Sequence, residues 1–132
     1  MSGLVLKLSP AERFYVNGAV IENGGRRAQL RLITPNTNIL RHRDALHPRQ
    51  VNTPVKRVCY IAELILMGNC SSGEATQQLL SGIDQLAQVF LDEKSLDLIS
   101  SAAWDVEKGN TYKALKCLRA LIPLEQEIIE LS

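Results

Sequence analysis

The segment Arg41-His42-Arg43-Asp44 carries the side chains best suited to binding chemistry. If this segment is a β-strand, Arg41 and Arg43 lie on the same face, because side chains alternate between the two faces of a strand. A planar guanidinium binds phosphate oxygens or a guanine edge through two parallel hydrogen bonds. We therefore predict that the last strand carries an anion-binding face, with His42 beside it.

The distribution of charge supports this prediction. The chain of 132 residues has a net charge of +1, but the ten lysines and arginines up to Arg57 face only three acids, a balance of +7. From Val58 onward five basic residues face eleven acids, a balance of −6. Such asymmetry indicates a polyanionic partner for the first half. Arg26 and Arg27, expected in a mobile positive turn, and Arg31 in the next strand would extend the binding surface.

These residues also have simpler explanations. Charged side chains on an edge strand commonly prevent unwanted strand pairing, which would account for Arg41, His42 and Arg43. Arg26 and Arg27 can equally belong to a solvated turn. Phe14 and Tyr15 are adjacent in a predicted strand, so one of them is expected to face outward or to lie near an edge of the sheet. That arrangement would give at most one aromatic platform on which a base stacks.

The sequence contains no nucleophile–base pair, nucleophile elbow or acid dyad, so we expect no enzymatic activity. The histidines and cysteines lack metal-ligand spacing, and we predict no metal and no cofactor. Cys59 and Cys117 are expected to be small buried hydrophobes. Trp104 and Tyr112 are expected to be core or interface anchors. No membrane segment or secretion signal is evident, which predicts a cytoplasmic protein.

Short apolar or alternating segments separated by glycine and proline turns predict about five antiparallel strands. They are expected at residues 4–8, 13–16, 19–22, 28–33 and 39–43. Asn17-Gly18 is the strongest hairpin signal, since both residues tolerate the positive φ of a type I′ turn. In the fourth strand, alternation places Leu30 and Leu32 inward and Gln29 and Arg31 outward.

The rest of the chain predicts a bundle of about four short helices. The first should begin at Pro54 with Thr53 as N-cap, and Ser71 and Glu74 form a capping box that opens the second. The expected ranges are 54–67, 71–90, 95–108 and 111–131. Pro123 should kink or restart the last helix. The fold class is therefore α+β, with a β-sheet RNA-binding module at 1–52 and a helical module at 53–132 in one cooperative unit.

Three motifs carry a resemblance to a known family. VNGAVIENGGRRAQLRL at residues 16–32, followed by LRHRD at 40–44 and NTP at 52–54, closely resembles the FlbT family of flagellin messenger-RNA repressors. The resemblance covers nearly the whole chain. It implies a cytoplasmic regulator in a flagellated alphaproteobacterium, which binds the untranslated leader of flagellin messages and promotes their decay until the hook is complete.

The order of features in the sheet is also distantly similar to the carbon storage regulator family, CsrA. The corresponding residues are Glu12, residues 29–32, Pro35 and residues 42–44. That family consists of small five-stranded dimers whose RNA site combines a last-strand arginine with the first-strand edge of the partner chain, which implies a role for Arg43. Two departures separate this chain from the family: Lys7 and Leu8 replace an arginine, and the spacing from Pro35 to His42 is one residue longer.

Together these observations predict a homodimeric post-transcriptional regulator that binds the flagellin mRNA leader. The predicted RNA-binding residues are Lys7, Arg26, Arg27, Arg31, Arg41, His42 and Arg43. The alternative is a protein-binding adaptor in flagellar assembly, whose C-terminal helices dock a flagellar regulatory protein. In that case the apolar face of residues 115–131 would lie in a partner's groove.

Overall fold

The computed structural model describes residues 4–68 and 72–131. The strands are β1 Leu4–Leu8, β2 Arg13–Val16, β3 Ala19–Glu22, β4 Ala28–Leu32 and β5 Ile39–Arg41. Two short 3₁₀ helices, His42–Asp44 and Pro48–Gln50, lead to α1 Pro54–Leu66, α2 Ser72–Val89, α3 Glu93–Glu107 and α4 Thr111–Leu131. The α+β prediction is confirmed. The predicted capping residue Ser71 lies outside the described residues.

The five strands form two antiparallel sheets rather than one. β1 pairs with β4 along its whole length to make a two-stranded ribbon. The second sheet has the order β3-β2-β5, so β2 is central and β3 is a free edge. Asn17 and Gly18 turn β2 into β3 with φ of 49° and 84°, which confirms the hairpin turn that the sequence predicted.

The three-stranded sheet lies between the ribbon and the helices. Tyr15 and Leu40 pack into the helical core on one face. Phe14 and Ile39 pack on the other face against the buried leucines of β1. The prediction that Phe14 or Tyr15 faces outward is wrong, because each ring is buried in one of the two cores. Neither ring offers a platform for a nucleic-acid base.

The helices pack in a ring in which α1 contacts α2 and α4, and α3 contacts α2 and α4. α1 begins as predicted, with the Thr53 hydroxyl accepting a hydrogen bond from the Lys56 amide. The carboxylate of Glu125 accepts from the Val55 amide at 2.9 Å, which ties α4 to the first turn of α1. α4 runs without interruption through Pro123, so the helix does not restart there, and the predicted alternative, a kink at Pro123, stays a prediction.

Two further polar contacts join the linker and the sheets to the helices. Buried Glu63 accepts hydrogen bonds from the Leu46 amide and Arg119, although burial raises its pKa. The Asn38 side chain donates to the Gly109 carbonyl at 3.1 Å and accepts from the Tyr112 amide at 3.1 Å. Asn38 therefore fixes the loop before β5 against the start of α4. Over the residues described, no helix has the length and apolar character needed to span a membrane.

Candidate nucleic-acid interface

The ribbon carries basic residues on its outer face. Lys7 lies directly opposite Gln29, and Val5 lies opposite Arg31. Directly opposed residues of an antiparallel pair share a face, and the alternate residues Leu6 and Leu8 are buried on the other. The strand alternation therefore places Lys7, Gln29 and Arg31 together, as the sequence predicted for Gln29 and Arg31. Leu30, which the same alternation predicted to point inward, is 43% exposed, because β4 is less fully covered by a second layer than β1 is.

A groove lies at one end of this ribbon. Its volume is about 530 Å³, and its lining includes Lys7, Ser9, Arg27, Gln29 and Arg43. We call it the basic groove. It brings together three of the predicted RNA-binding residues, one each from β1, the turn before β4 and the segment after β5. Ser9 and Gln29, which sequence reasoning did not select, add neutral hydrogen-bonding groups.

Asn23 sets the position of the arginine turn. Its side-chain amide donates to the Ser9 carbonyl at 2.7 Å and to the Arg26 carbonyl at 2.8 Å. Its backbone amide donates to the Glu12 carbonyl at 2.8 Å. The Arg26-Arg27 turn, which the sequence predicted to be mobile, is therefore held beside the end of β1 by the hydrogen bonds of Asn23. An asparagine next to a glycine pair was the available sequence signal, since its short amide side chain bonds nearby backbone.

Arg41 has a partner within the protein. Its Nε donates to Glu12 Oε2 at 2.6 Å, and its Nη2 donates to Glu12 Oε1 at 2.8 Å and to the Lys7 carbonyl at 2.6 Å. The Arg41 guanidinium and the Ser9 amide together lower the pKa of Glu12 from 4.5 to about 2. This guanidinium connects β5, β1 and the turn before β2. Its Nε and Nη2 donors are therefore already used in hydrogen bonds within the protein.

The prediction that the last strand extends to residue 43 is wrong. β5 ends at Arg41, which lies opposite Phe14, and residues 42–44 form a 3₁₀ helix closed by a hydrogen bond from the Ala45 amide to the His42 carbonyl. Strand alternation no longer applies there, so Arg41 and Arg43 do not share a strand face. Both arginines instead approach the Glu12 carboxylate, Arg41 from β5 at 2.6 Å and Arg43 from the following turn at 3.8 Å.

After this turn Arg43 and His42 point to different surroundings. Arg43 lines the basic groove with more than half of its side chain exposed, and its Nε lies 3.8 Å from Glu12 Oε2. His42 Nδ1 lies 3.2 Å from the Tyr15 hydroxyl, at the edge of the helical core. Because Arg41 is bound by Glu12, Arg43 is the one of these two arginines that is available to a ligand.

The remaining cations of the ribbon are not neutralised. Glu22 pairs with Arg13 at 2.9 Å, and Glu12 is held by Arg41. Within residues 4–68 and 72–131, no carboxylate lies within 4 Å of a charged nitrogen of Lys7, Arg27 or Arg31. The internal ion pairs therefore leave an excess of positive charge on the ribbon and its adjacent turn.

The described part of the chain holds no cluster of three or more metal-ligating side chains. Cys59 is buried, and burial raises its pKa to about 12, as expected for a structural thiol. Cys117 is half-buried. The chemistry of the interface is therefore that of arginine and lysine side chains with neutral hydrogen-bonding neighbours.

The chain is similar to flagellar regulators. A family model described as "Flagellar protein FlbT" matches residues 4–129. A Rhodopseudomonas palustris protein named "Probable flagellum biosynthesis repressor protein FlbT" is 33% identical over 127 residues, 96% of this chain and 97% of its own length. A Chelativorans protein of the same name is 32% identical over 124 residues, covering 94% and 84%. The "Flagellum biosynthesis repressor protein FlbT" of Caulobacter vibrioides is 28% identical over 124 residues, covering 94% and 87%. No solved structure matches the chain.

Proposed function

The chain belongs to the FlbT family, and on that premise we propose that it regulates flagellum biosynthesis by binding the untranslated leader of flagellin mRNA and promoting decay of that message. The names of its relatives support the regulatory role. The observation that supports RNA binding is the basic groove, in which Lys7, Arg27 and Arg43 converge at the end of the ribbon. The protein acts in the cytoplasm as a binding protein rather than an enzyme.

The groove suits a single-stranded polyanion. Lys7 and Arg27 supply charge to phosphates, and the partly exposed fork of Arg43 can hold a phosphate or a guanine edge. Arg31 continues the positive surface along the outer face of the ribbon. Ser9 and Gln29 offer neutral donors and acceptors to bases of an unpaired loop, which is where proteins read RNA sequence.

A triple variant tests this proposal. The variant combines Lys7→Ala, Arg27→Ala and Arg31→Ala. It should bind a labelled flagellin leader at least about tenfold more weakly than the wild type at moderate salt. Fluorescence anisotropy measures the affinity. The slope of log affinity against log salt should become shallower by about 2, since each phosphate contact on a single strand contributes about 0.7.

The matched control replaces Arg13, Arg49 and Arg57, which are exposed arginines outside the groove. It makes the same change in net charge and should alter affinity and salt slope much less. Equal losses in the two triple variants would mean that only net charge matters. Full affinity in the groove variant would move the RNA site elsewhere.

The adaptor alternative is less well supported by the geometry. Leu115, Leu118 and Leu121, which it assigned to a partner's groove, are fully buried within the helical bundle. The end of α4 leaves Ile128, Ile129 and Leu131 exposed, so only this C-terminal part of the segment is open to a partner, and the apolar face before it is already buried in the bundle.

A further inference from the structure

The junction of α3 and α4 carries a second concentration of positive charge, interleaved with aromatic rings. We call it the lysine–aromatic patch; its residues are Trp104, Lys108, Tyr112, Lys113 and Lys116. The Trp104 side chain is 61% exposed, so of the two roles that the sequence suggested, core or interface anchor, the core role is wrong and the interface role stays a prediction. Lys108 Nζ lies 4.5 Å from the centre of the Trp104 ring, and Lys116 Nζ lies 5.5 Å from that of Tyr112.

The patch borders two concave surfaces. A cavity of about 210 Å³ lies between the loop 33–38 and the start of α4, with Tyr112 in its wall. An open cleft of about 640 Å³ lies between α3 and α4, with Trp104 in its wall. Lys113 and Lys116 line both. Lys113 and Lys116 are therefore shared by two concave surfaces, each of which has an aromatic ring in its wall.

Charge at the patch opposes that of the surrounding half. Residues from Val58 onward have a balance of −6, yet three of their five basic residues belong to the patch. Asp105 also lines the cleft and offsets part of this charge. The local excess of lysines over acids matches a polyanion. The exposed Trp104 ring, together with the partly buried Tyr112 ring in the cavity wall, matches a ligand with flat apolar faces.

We propose that the lysine–aromatic patch binds unstacked bases of single-stranded RNA. This inference rests on the proposed function and assigns it a second contact site. Trp104 stacks on one base, the cavity beside Tyr112 receives another, and Lys113 and Lys116 hold the phosphates between them. A folded duplex would not fit, since its bases present their edges rather than their faces.

The patch and the basic groove lie where one strand of RNA can reach both. The groove is lined by Leu8 and Gln29 at one end of the ribbon, whereas the cavity is lined by Leu4 and Leu32 at the other. Leu4 and Leu8 are four residue steps apart, about 13 Å at roughly 3.3 Å per step. The ribbon therefore forms a short bridge between a phosphate-binding groove and a base-binding patch.

Trp104 is the only tryptophan of the chain, so its fluorescence reports on this site alone. A single-stranded flagellin-leader oligonucleotide should quench that fluorescence with the same midpoint as its binding measured by anisotropy. Trp104→Ala should weaken binding roughly 5- to 100-fold, the size of effect that one base–aromatic stack produces. Leu91→Ala, at another exposed apolar residue of the helical half, is the control and should bind normally.

The outcomes separate this inference from the proposed function. No RNA binding by either measurement would overturn both. RNA binding without quenching, with full affinity in Trp104→Ala, would overturn the patch alone. Equal quenching by inorganic polyphosphate, which has no bases, would reduce the patch to a charge site and contradict base stacking. Quenching by a polyglutamate peptide but not by RNA would identify a protein partner and also overturn the inference.

Discussion

At the scale of single residues, the pair of Glu12 and Arg41 decides how the basic segment at residues 41–44 is used within this molecule. Both side chains are largely buried, with 6% of Glu12 and 16% of Arg41 exposed. The pair joins residues 29 positions apart and adds a bond to the Lys7 carbonyl. Arg41 therefore positions the ribbon that carries the basic groove. Lys7 and Arg27 have no carboxylate within 4 Å in the described part of the chain, and Arg43, although 3.8 Å from Glu12, keeps more than half of its side chain exposed to a ligand.

Arg41→Ala should destabilise the fold by about 2 kcal/mol, because it removes charge-assisted hydrogen bonds and leaves the Glu12 carboxylate without its main partner. Urea denaturation at pH 7 measures the effect. Arg13→Ala, which breaks the exposed pair with Glu22, is the control and should change stability little. If both variants unfold at the same urea concentration, the buried pair does not hold the ribbon.

The same pair predicts a dependence on pH. Because the folded pKa of Glu12 is lowered from 4.5 to about 2, its contribution is fully present above pH 4.5 and is lost as pH falls toward 2. The difference in unfolding free energy between wild type and Glu12→Gln should therefore be constant from pH 5 to 7 and shrink below pH 4.5. A difference that stays constant down to pH 3 would contradict this assignment.

At the scale of elements, the β2–β3 hairpin and the turn after α1 approach each other through the backbone atoms of two glycines. Gly18 and Gly68 both have positive φ, and a Cβ on Gly68 would lie 2.9 Å from the Gly18 carbonyl oxygen. This approach lets the three-stranded sheet pack closely against α1. The Asn17-Gly18 turn is a local signal, whereas its contact with Gly68 depends on how the two modules pack.

Gly68→Ala should destabilise the protein by about 2–4 kcal/mol, the sum of strain at positive φ and of the steric overlap with Gly18. Gly109→Ala is the matched control, since Gly109 has a φ of 81° but nothing lies within 4 Å of an added Cβ. It should cost about 1–2 kcal/mol. Equal shifts of the urea midpoint in the two variants would show that backbone strain at positive φ alone explains the destabilisation by Gly68→Ala, without a contribution from overlap with the hairpin.

At the scale of the whole molecule, the ribbon, the three-stranded sheet and the helices form three layers with different roles. The ribbon presents the basic groove, the three-stranded sheet separates it from the helices, and the helical ring supports the lysine–aromatic patch. The sheet leaves one edge unprotected, because every residue of β3 is exposed and Val20 is 60% exposed. β3 is mostly apolar, and its one charged residue, Glu22, is paired with Arg13. An exposed apolar edge strand of this kind is a template for pairing with a second chain.

We expect a homodimer in solution, joined through this edge, in which the RNA surfaces of two chains are combined. Light scattering should give twice the mass of one chain. Val20→Lys should yield monomers, because a lysine on an edge strand opposes strand pairing. Val89→Lys, at an exposed position on α2, is the control and should stay dimeric. If the wild-type protein is monomeric, the predicted dimer is wrong, and the ribbon and helices of one chain are enough to bury its core.

The sequence by itself determined the class of fold, the order of its elements, the Asn17-Gly18 turn, the start of α1 and the resemblance to the FlbT family. These depend on side-chain periodicity, turn chemistry and capping among residues a few positions apart. Only the tertiary structure decided that the strands form two sheets, that Arg41 is held by Glu12, and that Trp104 is exposed beside three lysines. Each of these depends on which distant residues meet, and local patterns do not specify that choice.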